Sequence, residues 1–434
     1  MKKRTDDHKD TDIESGTELN IGIIGLLGSL KTFKSFKTPV YRIYYGSMAG
    51  QWAVQSMLIM TNALLVYRLT GSGTIIGLVT IAQGLPQMLI ALFGGAIADR
   101  IQKKYILMFS QISLSLIAFV FATAFYMGYV TSERWWLILI LALCEGSLLG
   151  FLQPASFSII PEIVGGNQVM NAISLGTMGN TFFRLIGPSL AGFLIDTYGF
   201  FVVYYLMCVL YIMGWIFASF LPNTNPLNSS RKVSIRSTLA DMGEGLYYLR
   251  HETAIMLILI FGLLHIICGM PFLQLMSIFT EDILKVGATG LGILSSVSGL
   301  GALLSSLVMA SLPNRKRGII LLLSGVIMGV AVMVFSWSRF WYLSLAMMPF
   351  TGVGTSTHMT MTATLIQYYV KPEYRGRMQS FMTMSGGLAC VGTFLAGVLT
   401  EIMGVQWAVG GMAMTLTVIS FLFMIFASKL TSLQ

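Results

Sequence analysis

The sequence predicts an all-α polytopic membrane protein: twelve transmembrane helices in two pseudo-symmetric six-helix bundles. Three observations predict it. The chain of 434 residues is 55% hydrophobic and 10% charged, whereas soluble domains carry roughly a quarter charged residues. Its apolar residues fall in repeated stretches near the ~20 residues that cross a bilayer. Its cations gather in alternate connections between those stretches, as membrane topology requires.

Taken in order, residues 1–40 form a cytoplasmic tail. It opens on a mixed-charge run unlike a cleavable signal, so none is expected. Asn20 to Leu30 is apolar but interrupted by Gly22, Gly25 and Gly28, and is too short to span. With Phe33 and Phe36 among lysines, it predicts an interfacial helix on the inner leaflet. Spans follow near 41–66, 74–98, 105–130, 135–160, 171–195 and 200–221, then near 254–280, 289–312, 318–337, 340–369, 378–402 and 405–428. Residues 41–221 and 253–434 are the two bundles. Between them, 222–252 reads as a linker, turn-rich from Pro222 to Ser230. Ile235, Leu239, Met242, Leu246 and Leu249 then recur at helical spacing, predicting an amphipathic helix on the cytoplasmic surface.

The net charge of +9 is explained by topology. Arg100, Lys103 and Lys104 follow span two; Arg231, Lys232, Arg236 and Arg250 separate spans six and seven. Arg315, Lys316 and Arg317 follow span eight, and Lys371, Arg375 and Arg377 follow span ten. The opposite loops hold Arg68, Arg134, Lys285 and Arg339. This asymmetry predicts a multi-pass protein of the inner (plasma) membrane with both termini cytoplasmic, and no nucleic-acid partner. Cys144, Cys208, Cys268 and Cys390 all fall inside spans without metal-ligand spacing, so inert thiols, no metal and no cofactor are expected. HExxH, GxSxG and Walker patterns are missing, which argues against an enzyme.

The two halves share local features. Asp99-Arg100 after span two corresponds to Asn314-Arg315 after span eight, and Pro161-Glu162 after span four to Pro372-Glu373 after span ten. Both offsets are close to 213 residues, which supports a duplicated six-helix unit.

Several strings then carry a resemblance. Tyr67 to Ser72 reads YRLTGS and Pro86 lies within span two; Gly95-x-x-x-Asp99-Arg100 closes that span. Met170 to Leu175 reads MNAISL and opens span five, which contains Arg184, Gly187-Pro188, Ala191 and Gly192; Arg375-Gly376-Arg377 opens span eleven. In order and spacing these resemble the major facilitator superfamily, and within it the macrolide-efflux and enterobactin-exporter-like drug:proton antiporter branch. Gln102, Phe183 and Ala191 stand where the family patterns carry glycine, and span four lacks the arginine of many proton-coupled members.

The resemblance implies a gate formed by Gly95, Asp99, Arg100, Lys103 and Lys104. Physically, a carboxylate at the end of span two can pair with the positive N-terminus of a facing helix, and span eleven begins near Arg377. Gly187, Pro188 and Gly192 read as a packing and hinge element. Glu145 and Arg184 are charges near mid-membrane, where an unpaired charge costs at least about 2.5–3.5 kcal/mol. Their similar depth permits an ion pair, and both are proton-coupling candidates.

In the resembled fold, spans one, four, seven and ten line a central cavity. Gln51, Gln55 and Asn62 share a face of span one; Thr351, Thr355, His358 and Thr362 share a face of span ten. Gln153 and Ser156 in span four and His265 in span seven complete the cavity candidates. The 29 methionines and 27 phenylalanines suit either an adaptable pocket or lipid-facing helices.

The function expected is secondary active export of amphipathic small molecules (drugs, siderophores or metabolites) by rocker-switch alternating access, as proton antiport. The alternatives are an importer or uniporter of another solute, such as a lysophospholipid, and a non-transporting sensor on the same fold. The expected partners are the small-molecule substrate, protons and the lipid bilayer, with the protein a monomer.

Overall fold

The computed structural model describes residues 31–98, 101–223, 243–244, 247–311, 316–371, 374, 378, 381–382, 384, 386–427 and 430. Among them every long element is a helix. In chain order these are α1 (Pro39–Thr70), α2 (Gly73–Ala98), α3 (Lys103–Tyr126), α4 (Trp136–Val164), α5 (Val169–Tyr198) and α6 (Phe200–Ser219). The next, α7, covers Thr253–Ile283. Pro271 breaks it at Met270, because proline removes a backbone donor; it ends in a π turn at Phe279–Ile283. Then come α8 (Gly287–Ser311), α9 (Arg317–Trp337), α10 (Trp341–Tyr369), α11 (Ala389–Met403) and α12 (Val405–Phe426).

Eight of the described helices are both long and apolar enough to cross a membrane. Three others, α1, α5 and α10, reach 32, 30 and 29 residues but carry more polar side chains. These are the helices that hold Gln51, Asn62, Arg184, Thr351 and His358. Polar groups at membrane depth belong inside a bundle or toward water: Gln51, Asn62, Thr351 and His358 are buried, and Arg184 is exposed. The interfacial helix expected at 20–30 lies outside the described residues, as does most of the linker helix; of the linker positions Leu249 is described, and it is buried.

Helix packing repeats with a shift of six. The α2–α4, α3–α6 and α3–α4 contacts recur as α8–α10, α9–α12 and α9–α10, and α5–α8 recurs as α11–α2. The turns repeat as well. Gly199 joins α5 to α6 at φ 93° and ψ 172°, and Gly404 joins α11 to α12 at φ 83° and ψ 154°, a conformation that side chains disfavour. The α5–α8 and α11–α2 crossings are the main joints between the first six helices and the last six, with α1 against α7 between them.

Candidate functional site

At one end of the molecule the joints are closed by carboxylates set on helix N-termini. Asp196, near the end of α5, accepts hydrogen bonds from the backbone N–H of Thr289 (2.7 Å) and of Ala288 (3.3 Å), and from the Thr289 hydroxyl (2.7 Å). These amides open α8, where the helix dipole favours an anion. Glu401, near the end of α11, accepts from the Ser72 hydroxyl and from the Thr74 N–H at the start of α2. Asp196 and Glu401 are 205 residues apart, as are Gly199 and Gly404, so both caps belong to the duplicated plan.

Arg68 at the end of α1 ties the two sides together. Its guanidinium donates to Glu281 at 2.8 and 3.2 Å and lies 3.5 Å from Asp196. Tyr67 donates to Asp282, and the Arg68 guanidinium sits 5.6 Å from the Phe200 ring centroid. Asp196 is one residue beyond the predicted span. Burial pushes its carboxyl up, but the two amides, the hydroxyl and Arg68 together hold it below the usual aspartate range. None of these acids is among the gate residues expected from the sequence. A carboxylate three residues before a glycine at a helix end, repeated 205 residues later, is the signal that could have found them.

Below this closed end the α5–α8 joint needs small residues. A Cβ on Gly192 would lie 2.3 Å from the Ala288 carbonyl oxygen, and one on Gly187 would lie 1.9 Å from the Ser56 hydroxyl of α1. The Pro188 carbonyl abuts Gly292, and the Arg184 carbonyl abuts Gly299. Gly187, Pro188 and Gly192 are thus buried packing elements against α1 and α8.

The joint then opens. Ile173, Thr177, Arg184, Pro188, Ala191 and Ile195 fall on one stripe of α5 at helical spacing. Pro188, Ala191 and Ile195 are buried, whereas Arg184, Thr177 and Ile173 are exposed. On the facing stripe of α8, Ala288, Gly292 and Gly299 are buried and Ser306 is exposed. Arg184 stands where the two stripes part and is exposed.

Glu145 does not meet Arg184: among the described residues the ion pairs are Arg68 with Asp196 and Glu281, and Lys103 with Glu162. Glu145 is buried and accepts a hydrogen bond from the Asn62 side-chain amide at 3.4 Å. The Asn62 oxygen in turn accepts from the Tyr204 hydroxyl at 2.5 Å. The rings that α6 and α3 bring there (Tyr204 against Phe121, centroids 4.8 Å apart) enclose the group. Depth alone suggests a partner on α5; the rotation of α4 turns Glu145 toward α1 instead.

At the opposite end from Arg68, Lys103 is buried and paired with Glu162 at the end of α4. An ammonium withdrawn from water needs that carboxylate, so in this conformation the cation is engaged within the α3–α4 pair. Lys104 is half-buried. Gly95 lies in the last turn and a half of α2. Asp99, Arg100 and Arg377 lie outside the described residues, as do Asn314 and Arg315.

The cavity candidates divide. Gln51 is buried with its Oε1 unpartnered, Gln55 is half-buried and Gln153 is exposed. Ser156 is buried, and its backbone carbonyl accepts from the Tyr44 hydroxyl. Thr351 is buried against the Ser298 hydroxyl at 3.0 Å, and half-buried Thr355 bonds the Thr351 carbonyl. His265 and His358 are buried against each other. Thr351, His265 and His358 are thus buried in this conformation, where α10 packs against α7 and α8.

The twelve helices named among the described residues and their two repeated joints define a membrane transporter fold. The sequence profile of the Major Facilitator Superfamily matches residues 44–391, and the chain belongs to that family. It is 21% identical over 373 residues to macrolide efflux protein A of Streptococcus pyogenes, covering 82% of this chain and 89% of that protein. It is likewise 21% identical over 372 residues to the staphyloferrin A transporter of Staphylococcus aureus, covering 84% and 88%. Among solved structures, the nucleoside transporter NupG superposes with a TM-score of 0.69 at 16% identity, covering 90% of this chain and 99% of that one. The human organic anion transporter MFSD10 superposes at 0.64 and 15% identity, covering 88% and 98%.

Proposed function

We propose that the protein exports amphipathic small molecules across the inner membrane in exchange for protons, by rocker-switch alternating access of bundles 41–221 and 253–434. The observation that carries this reading is the α5–α8 joint: sealed from Asp196 to Arg184 and open beyond it on matching stripes of both helices. A symmetric joint closed at one end and open at the other is one of the two states such a mechanism needs. The cation asymmetry supports placing the Arg68 end outside and both termini inside, which makes this the inward-open state. Relatives named for efflux support the outward direction.

Glu145 is the residue we assign to the proton. In this state the carboxylate is enclosed by Asn62 and Tyr204, and proton exchange there needs water to reach it. Releasing a proton in one state and binding one in the other would bias the bundles. The test is a proteoliposome assay with candidate drugs and siderophores. Substrate entry should drive protons the opposite way, and Glu145→Gln should lower gradient-driven transport at least tenfold while sparing substrate exchange. Full pH-dependent transport by Glu145→Gln removes Glu145 as carrier. Substrate movement in phase with protons removes antiport.

A further inference from the structure

We infer that Arg184 is the anchor for an anionic group on the transported molecule, so that the substrate class is amphipathic organic anions. Three observations carry this. First, Arg184 is an exposed residue at the apex of the open face, where the α5 and α8 stripes part. Second, among the described residues no carboxylate lies within ion-pair distance of it; Glu145, at similar depth, is bonded to Asn62. An arginine at membrane depth is costly unless water or an anion compensates it, and its planar fork suits carboxylate, sulfonate or phosphate oxygens. Third, aromatic side chains of α1 pack on α5 one to two turns before Arg184. The Trp52 indole lies against Gly176 and Gly179, and Tyr45 packs on Trp52 with ring centroids 5.3 Å apart. A cation with aromatic surface farther along the same helix is matched by a molecule with an anionic head and an apolar body.

Glu145 and Arg184 thus have separate tasks, one for the proton and one for the substrate. The inference rests on the transport reading only in calling the ligand a substrate; the anion site itself does not depend on proton coupling or direction.

The test uses the full-length protein in nanodiscs, with Cys144, Cys208, Cys268 and Cys390 replaced by alanine and Thr181→Cys introduced one turn from Arg184. Modification rates are measured with the anionic sulfonatoethyl and the cationic trimethylammonioethyl methanethiosulfonates. The anionic-to-cationic rate ratio should fall at least tenfold in Arg184→Gln and return in Arg184→Lys, which guards against a merely misfolded variant. Octanesulfonate should slow modification at least fivefold in the Arg184 protein and not in Arg184→Gln, whereas octyltrimethylammonium should do neither.

An unchanged ratio, or labelling by neither reagent, overturns the accessible anion site. Equal protection by both octyl probes, or none by octanesulfonate, overturns the substrate class. If the ratio and the protection hold while the proteoliposomes show no proton exchange, the anion site stands and the coupling reading falls.

Discussion

The imidazole of His265 on α7 stacks on that of His358 on α10, with ring centroids 3.8 Å apart and planes 4° from parallel. Both nitrogens of His265 and Nδ1 of His358 find no hydrogen-bond partner among the described residues, and neither does the nearby Thr362 hydroxyl. Phe261 packs at 6.3 and 6.0 Å from the two rings, and the backbone of Gly262 borders His358. An unsatisfied buried polar group costs about 1–3 kcal/mol, while exchanging both members of a pair for apolar groups can be nearly neutral. The double change His265→Phe with His358→Leu should therefore leave thermal stability in detergent within about 1 kcal/mol of the parent. The pH profile of transport should also be unaltered. A displaced profile would instead assign a proton to the pair.

Asp196 and Arg68 predict a pH-sensitive closure of the Arg68 end. Asp196 is held below the usual aspartate range in this state, so its contribution is complete above that range and is lost as pH falls through its depressed value. Opening of the Arg68 end, followed by distances between spin labels on α5 and α8, should increase at strongly acid pH. Asp196→Asn should bring this opening to neutral pH, with a population shift of roughly two- to fivefold for a contact of about 0.3–1 kcal/mol. Arg68→Ala should shift it further, since Asp196, Glu281 and Asp282 then face one another without a cation.

Lys103 and Glu162 form a pair with very unequal exposure, 2% and 21%. Removing the acid strands the buried ammonium, so Glu162→Gln should destabilise by about 3 kcal/mol, toward the low end for broken buried pairs because Glu162 retains some water. Lys103→Met combined with Glu162→Leu should recover most of that loss. Thermal unfolding of the two variants decides the matter; an equally unstable double variant would assign the effect to packing alone.

Gly192 sets how closely α5 and α8 approach. A side chain there meets the Ala288 backbone oxygen, which cannot swing aside as a flexible side-chain tip would. Gly192→Val should cut transport more than tenfold and raise the thiol reactivity of Ser296→Cys, a position now buried and within 2.7 Å of Ser189. If Ser296→Cys stays protected, closure does not depend on that contact.

Composition and period suffice for the helices, their number and the duplicated plan, because hydropathy and 3.6-residue spacing are local properties that a membrane reads one segment at a time. The same local features single out Gly187, Pro188, Gly192, Glu145, Arg184, His265 and His358. They do not reach who meets whom. Depth along the chain puts Glu145 level with Arg184, yet side-chain partners depend on the rotation of each helix about its axis, which only packing against α1 and α6 decides. The same holds for the two histidines, 93 residues apart in sequence and face to face in space. It holds also for Asp196 and Glu401, whose role exists only because the N-termini of α8 and α2 arrive beside them. Spans and their repeat are thus written in the linear chain. The pairings come from tertiary packing, since charges and rings interact over a few ångströms that no linear spacing specifies.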